Sequence, residues 1–172
     1  GNWTPLHLAV LNNHVDAVVL LLDAGADIES SKVQAVSDVW TPLLIAADSN
    51  HVHLVRLLLE RGAKPDALTH HGQTSLQFSV RKRNAEMMRV LLEHGADLNR
   101  RNHGGWSCLL TAISSGFYEG VVELLNCGAK CDIGTPDGWS PLHLACEVGN
   151  VHLVHLILPL ASEIDPVTSH HS

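Results

Sequence analysis

The chain contains 13 histidines and four cysteines, residue types that bind metal ions and serve as nucleophiles or bases. Three of the histidines, a tryptophan and a cysteine fall within one segment, DGWSPLHLACEVGNVHLVHLIL, residues 137–158. A structural zinc site is expected to pair a C-x₂₋₄-C spacing with a second pair of Cys or His ligands. A nucleophile needs a base that converges on it in space. Either chemistry therefore depends on the elements that position these residues.

Five segments of the chain are similar to one another and follow at regular spacing. They are WTPLHLAV at Trp3, WTPLLIAA at Trp40, QTSLQFSV at Gln73, WSCLLTAI at Trp106 and WSPLHLAC at Trp139. Their starts are separated by 37, 33, 33 and 33 residues, and each is followed by a second apolar run such as VHLVRLLLERGAK. A constant period of this length is typical of stacked structural repeats.

Each copy carries the start and stop signals of two short helices. A hydroxyl residue precedes the first apolar run in every copy and predicts an N-cap: Thr4, Thr41, Thr74, Ser107 and Ser140. A proline suited to the first helical position follows in three copies: Pro5, Pro42 and Pro141. The second run stops at a glycine that can adopt a left-handed conformation in four copies: Gly25, Gly62, Gly95 and Gly128. Because such short helices are marginal alone, stacking of neighbouring copies must stabilise them.

The period of 33 residues and the T-P-L-H-x-A pattern resemble ankyrin repeats over essentially the whole chain. The resemblance implies an all-α fold, an ankyrin-repeat solenoid of stacked helix-turn-helix units with β-hairpin-like fingers. It places five repeats near 1–35, 36–68, 69–101, 102–134 and 135–167, in a single domain spanning 1–172. We expect this domain to be an excerpt of a longer array. The resemblance also implies a module without catalytic activity that binds a partner through a concave face formed by fingers and first helices.

The repeat accounts for the chemistry-bearing residues of the opening segment. His7 and His143 occupy the T-P-L-H box, where the family uses histidine to tie neighbouring turns together, and His14 and His51 open second helices. Cys127 and Cys131 form a C-x₃-C pair without a second ligand pair, so the pattern favours buried or inert thiols over zinc. We therefore predict no catalytic residues, no metal site and no cofactor.

Function is then expected at positions that the repeat leaves free, and tryptophan supplies the first candidates. Four copies carry it directly before the N-cap: Trp3, Trp40, Trp106 and Trp139. Exposed aromatic side chains are enriched in binding hot spots, whereas packing on the next finger is the alternative. The long first finger, with its extra residues around Lys32 to Ala35, is another candidate, although a tolerated insertion explains it equally well.

Charge supplies the second group of candidates. Residues 69–101 contain six basic and three acidic residues, a net charge of +3, while the rest of the chain carries −10. Arg81 and Lys82 fall at the end of a first helix, at positions that face the concave groove in the family. A basic spot there favours an extended partner with an acidic segment, and a merely solvated face is the alternative.

The complete set of predicted partner-binding residues extends these two groups to equivalent positions and to one finger. It comprises Trp3, Trp40, Trp106, Trp139, Arg81, Lys82, Asp48, Ser49, His70, His71, Ser115 and Glu147. In ankyrin domains an asparaginyl hydroxylase modifies a finger asparagine that follows a leucine by eight residues. Asn99 with Leu91 resembles that arrangement, so Asn99 is a candidate hydroxylation site.

Composition limits the partner and the compartment. A net charge of −7 argues against binding nucleic acid with the whole surface, and no apolar run is long enough to insert into a membrane. The cysteines form no disulfide framework, which favours the cytoplasm or nucleus, and we expect a monomer.

Two alternatives to a partner-binding module stay open. One is a targeting domain of a larger enzyme, such as a ubiquitin-ligase adaptor or an acyltransferase, and the other is an architectural spacer.

Overall fold

A computed structural model of the chain describes residues 3–33, 39–132 and 134–161, with Lys32 and Val33 described by their backbone alone. The inserted residues of the first finger lie partly outside the described residues, as does the segment 165–172 where a further finger was expected. The chain divides into two compact units, Gly1–Asp97 and Leu98–Ser172. We call them the first unit and the second unit.

The first unit contains three helix pairs and one short hairpin. The helices are α1 (Pro5–Leu11), α2 (Val15–Asp23), α3 (Pro42–Asp48), α4 (Val52–Glu60), α5 (Ser75–Arg81) and α6 (Ala85–Glu93). Strands β1 (Lys32–Val33) and β2 (Val39–Trp40) pair antiparallel, with Lys32 opposite Trp40. Within each pair the two helices pack together, α3 packs between α1 and α5, and α4 packs on α6.

The second unit contains two helix pairs of the same lengths. They are α7 (Cys108–Ser114) with α8 (Tyr118–Asn126), and α9 (Pro141–Glu147) with α10 (Val151–Ile157), which a 3₁₀ turn (Leu158–Leu160) follows. First helix α7 packs on first helix α9, as in the first unit. Each unit is thus an all-α stack of helix pairs, and none of the described helices is long and apolar enough to cross a membrane.

Hydroxyl N-caps start all five first helices, as the sequence predicted. The side chains of Thr4, Thr41, Thr74, Ser107 and Ser140 each accept a hydrogen bond from the backbone N–H three residues ahead. The glycines that end the second helices have positive φ, from +82° at Gly95 to +92° at Gly62. At this position a residue with a Cβ would be strained, so glycine fixes the helix end.

Three fingers share one turn, built by the same backbone and side-chain hydrogen bonds. In the third repeat, the Thr69 N–H donates to the Gln73 carbonyl oxygen, and Thr69 Oγ1 accepts from the Gln73 N–H at 3.2 Å. Asn102 with Trp106, and Thr135 with Trp139, repeat both bonds in the second unit. The fingers therefore hold the residues before each N-cap in a fixed place.

Candidate binding surface

Two cations that the sequence singled out converge on one carboxylate of the neighbouring repeat. Arg81 ends α5, Lys82 caps it, and Asp48 ends α3 one repeat earlier. Arg81 Nη2 lies 2.6 Å and Lys82 Nζ 3.5 Å from Asp48 Oδ1. The three side chains are 49%, 35% and 37% exposed, so the group is open to solvent and carries a net charge of +1.

A stacked aromatic pair contacts this group through the Arg81 guanidinium. The Trp40 and Phe78 rings are stacked, with centroids 5.5 Å apart and planes at 23°. The Arg81 guanidinium lies 4.7 Å from the Phe78 ring centroid, within the range of a cation–π contact. Phe78 is 1% exposed, whereas Trp40 is half-buried. We call Trp40, Asp48, Phe78, Arg81 and Lys82 the Arg81 cluster.

Phe78 was not among the predicted site residues. Its equivalents in the other copies are Leu8, Ile45, Thr111 and Leu144. A single aromatic ring at a position otherwise occupied by smaller side chains was the available signal. The ring positions the guanidinium, because Arg81 contacts Asp48 and Phe78 at once.

The other candidates of the first unit are spread over three places. Trp3 meets the His7 ring edge-on, with centroids 6.1 Å apart, and is half-buried. Ser49 is the partly exposed C-cap of α3 and lies next to Asp48 in the chain. His70 and His71 are exposed in the third finger turn, with ring centroids 5.3 Å apart.

In the second unit the candidates take the equivalent positions with different chemistry. Trp106 and Trp139 are half-buried, and the Trp139 ring lies 5.9 Å from that of His143. Ser115 is exposed, and its hydroxyl donates to the Ala112 carbonyl oxygen at 3.1 Å. Glu147, at the end of α9, is exposed. The described tryptophans are thus partly packed rather than fully exposed.

Asn99, the predicted modification site, takes part in a bond that recurs between successive repeats. Its Oδ1 accepts from the Lys130 N–H at 2.9 Å. In the first unit the equivalent Asp66 carboxylate accepts from the Asp97 N–H at 2.9 Å, and Glu29 accepts from the Lys64 N–H at 2.8 Å. The side chain at this position therefore links neighbouring repeats, and hydroxylation of Asn99 stays a prediction.

His7 has the structural role that its box predicted. Its ring is fully buried, and Nδ1 accepts from the Thr4 backbone N–H at 3.2 Å. The proton is therefore on Nε2, which donates to the carbonyl oxygens of Ser30 at 3.0 Å and Trp40 at 3.2 Å. His143 makes the same Nδ1 contact with the Ser140 N–H at 3.1 Å. These histidines hold backbone rather than a ligand.

Of the thiols that were expected to be buried or inert, Cys108 is buried. Cys127 and Cys146 are exposed, and Cys131 is half-buried, as are its equivalents Ile28 and Leu98. Burial, with the Asp132 carboxylate as a smaller contribution, raises the pKa of the Cys131 thiol. Among the described residues no group of three His, Cys, Asp or Glu side chains is arranged to hold a metal ion.

The inter-helix turn of the third repeat is strained where its counterparts are not. Arg83 has φ +54°, whereas the other repeats place Asn13, Asn50, Gly116 and Gly149 in this left-handed conformation. Asparagine and glycine tolerate positive φ, but an arginine there is uncommon. Arg83 is exposed and directly follows Arg81 and Lys82 in the chain.

Comparison with known proteins gives matches to two family models. A model described as ankyrin repeats (3 copies) matches residues 30–102 and 100–169, and one described as ankyrin repeat matches residues 1–32. No curated protein matches the chain.

Proposed function

Because the chain belongs to the ankyrin-repeat family, whose members generally act as protein–protein interaction modules, we propose that it binds a partner protein through the Arg81 cluster. The partner segment is extended and acidic. The observation that carries the proposal is the pair of partly exposed cations at successive positions, Arg81 and Lys82, with the Arg81 guanidinium over the buried Phe78 ring. The module has no catalytic role of its own in this proposal.

Charge and anchoring both support an acidic partner. Asp48 contributes one negative charge against the two positive charges of Arg81 and Lys82. The Phe78 contact restricts the Arg81 side chain, so less rotamer entropy is lost when a partner carboxylate binds. Trp40, half-buried beside Phe78, offers an aromatic contact next to the charged one.

The proposal extends to the other features that the sequence suggested. The chain acts as a monomer in the cytoplasm or nucleus, as one array of five repeats. Ser49 in the first unit, and Ser115 and Glu147 in the second, stay predicted partner-binding residues at the ends of first helices. His70 and His71 and the tryptophans before the N-caps contribute at the fingers.

Capture of partners from a cell lysate tests the proposal, with the variant Arg81→Gln/Lys82→Gln compared against the unchanged chain. Glutamine is preferred over glutamate because glutamate at either position would repel Asp48. A matched control, Lys64→Gln/Arg89→Gln, removes the same charge from exposed positions outside the candidate set. We expect quantitative mass spectrometry to show a partner lost from the first variant and retained by the control.

Circular dichroism melts establish that all three chains are folded. If the unchanged chain and both variants capture the same proteins, the Arg81 cluster is not the binding surface. If none captures any protein specifically, the architectural spacer becomes the better account of the chain.

A further inference from the structure

Asp48 already occupies the place that a partner carboxylate would take on Arg81. The Asp48 Oδ1 to Arg81 Nη2 distance of 2.6 Å is that of a short charge-assisted hydrogen bond, and Lys82 Nζ lies 3.5 Å from the same oxygen. The anion-binding groups of the cluster are therefore partly satisfied within the chain itself.

From this arrangement we propose that Asp48 competes with the partner for Arg81. An acidic partner segment binds when one of its carboxylates replaces Asp48 as the hydrogen-bond acceptor of Arg81. The proposal rests on the proposed function of the Arg81 cluster. The proposal reverses the expected effect of one side chain on partner affinity. Asp48 lies within the binding surface, yet it weakens binding instead of contributing to it.

Replacement of Asp48 by a partner carboxylate is feasible because the Asp48–Arg81 ion pair is exposed to solvent and weak. Both side chains are more than a third exposed, and ion pairs of that kind contribute little to stability. Asp48 also sits at the C-terminal end of α3, where a negative charge is unfavourable to the helix dipole. Arg81 keeps its contact with Phe78 during the exchange, so only its terminal hydrogen bond changes partner.

A protein segment fits this site better than a phosphate polymer. Outside residues 69–101 the chain carries a net charge of −10, which disfavours binding of a long polyanion. A short run of glutamates requires only the cluster itself. The probe is therefore a fluorescein-labelled oligoglutamate peptide, with a single-stranded oligothymidylate and phosphatidylserine vesicles as the other anions.

The experiment measures peptide affinity by fluorescence anisotropy for the unchanged chain and four variants: Asp48→Asn, Arg81→Gln, Asp48→Asn/Arg81→Gln and Arg81→Gln/Lys82→Gln. At about 0.01 M salt, where the screening length is about 30 Å, we expect Asp48→Asn to bind about two- to fivefold more tightly. The gain should shrink at about 0.1 M salt, where the screening length is about 10 Å. In the Arg81→Gln background the gain should be smaller, because only the longer Lys82 contact at 3.5 Å is then released from Asp48.

Asp23→Asn is the matched control, since it also removes one negative charge and releases an arginine from an exposed inter-repeat pair. That pair joins Arg61 Nη1, at the C-cap of α4, to Asp23 Oδ1, at the end of α2, at 2.8 Å. Equal tightening in Asp23→Asn, or no tightening in Asp48→Asn, overturns the exchange. So does a gain of undiminished size with Arg81→Gln, because it then does not depend on Arg81.

These results separate the exchange from the proposed function. If Arg81→Gln/Lys82→Gln abolishes peptide binding while Asp48→Asn leaves it unchanged, the binding surface stands and the exchange is wrong. If Arg81→Gln/Lys82→Gln binds the peptide as the unchanged chain does, both are wrong. Stronger binding of oligothymidylate or of the vesicles than of the peptide would contradict a protein partner.

Discussion

In the first unit the last residues of the first helices are Leu11, Asp48 and Arg81, whereas in the second unit they are Ser114 and Glu147. All five helices have seven residues and a hydroxyl N-cap. Backbone geometry is thus the same in both units, and chemistry differs at solvent-facing ends. The contrast teaches that helix formation constrains the caps, while the solvent-facing ends of the first helices are free to differ in charge.

The largest expected effect is on the free energy of unfolding, and it comes from removing the Phe78 ring that contacts Arg81. We expect Phe78→Ala to destabilise the first unit by about 3–5 kcal/mol, because it leaves a cavity and removes two ring contacts. The equivalent Thr111→Ala should destabilise the second unit by about 1 kcal/mol, since it removes one hydrogen bond to the Ser107 carbonyl oxygen. Urea unfolding followed by tryptophan fluorescence measures both.

Each unit has two tryptophans, so the fluorescence change reports on both units. Similar costs for the two variants would mean that Phe78 is ordinary filling and does not support the cluster. A large loss of stability confined to Phe78→Ala would sharpen the contrast.

A smaller effect is expected from exchanging the turn residues of the two units. Arg83→Gly should stabilise the first unit by about 1 kcal/mol, because glycine adopts the positive φ of +54° without a Cβ clash. Gly116→Arg should destabilise the second unit by a similar amount, since Gly116 has φ +64°. Thermal melts of both variants measure the effects, and shifts of the same sign would refute the strain at Arg83.

The smallest effect concerns reactivity instead of stability, and it reports on the second unit alone, because all four cysteines lie there. At neutral pH iodoacetamide should modify Cys131 more slowly than exposed Cys127 and Cys146. The raised pKa lowers its thiolate fraction, and the thiolate is the reactive form. As pH rises, its rate should increase later than in the urea-unfolded chain.

Mass spectrometry of timed digests measures the rate at each cysteine. In the variant Asp132→Asn the modification rate of Cys131 should rise at slightly lower pH. The change is small because Asp132 is the smaller of the two causes that raise the pKa of Cys131. A Cys131 profile identical in the folded and unfolded chain would show that burial has no such influence.

Much of the fold could be predicted from the sequence because its signals are local. Thr74 predicts a cap from its own side chain, and Gly95 a helix end from its own backbone freedom. The Asp48–Arg81 pair also left a signal in the sequence, namely opposite charges at equivalent positions of adjacent repeats. The Trp40–Phe78 stack could not be predicted, since it depends on side-chain rotamers across 38 residues.

The second unit shows a further compensation that only the structure could reveal. Phe117 stands at the helix start where other repeats have histidine or asparagine, and its ring is buried over Gly120. A Cβ at Gly120 would lie 2.4 Å from two Phe117 ring atoms, so the small residue and the large ring depend on each other. Such pairs arise because an interior is filled by volume rather than by residue type.

The hydrogen bonds of His7 also make the packing of the helices independent of the length of the first finger. Buried His7 donates to Ser30 and Trp40, the two ends of the segment that forms the longest finger. Both ends are thereby fixed to the same ring, whatever number of residues joins them. For a protein engineer this makes the first finger a grafting site, where a foreign epitope can be displayed while the helices beneath keep their places.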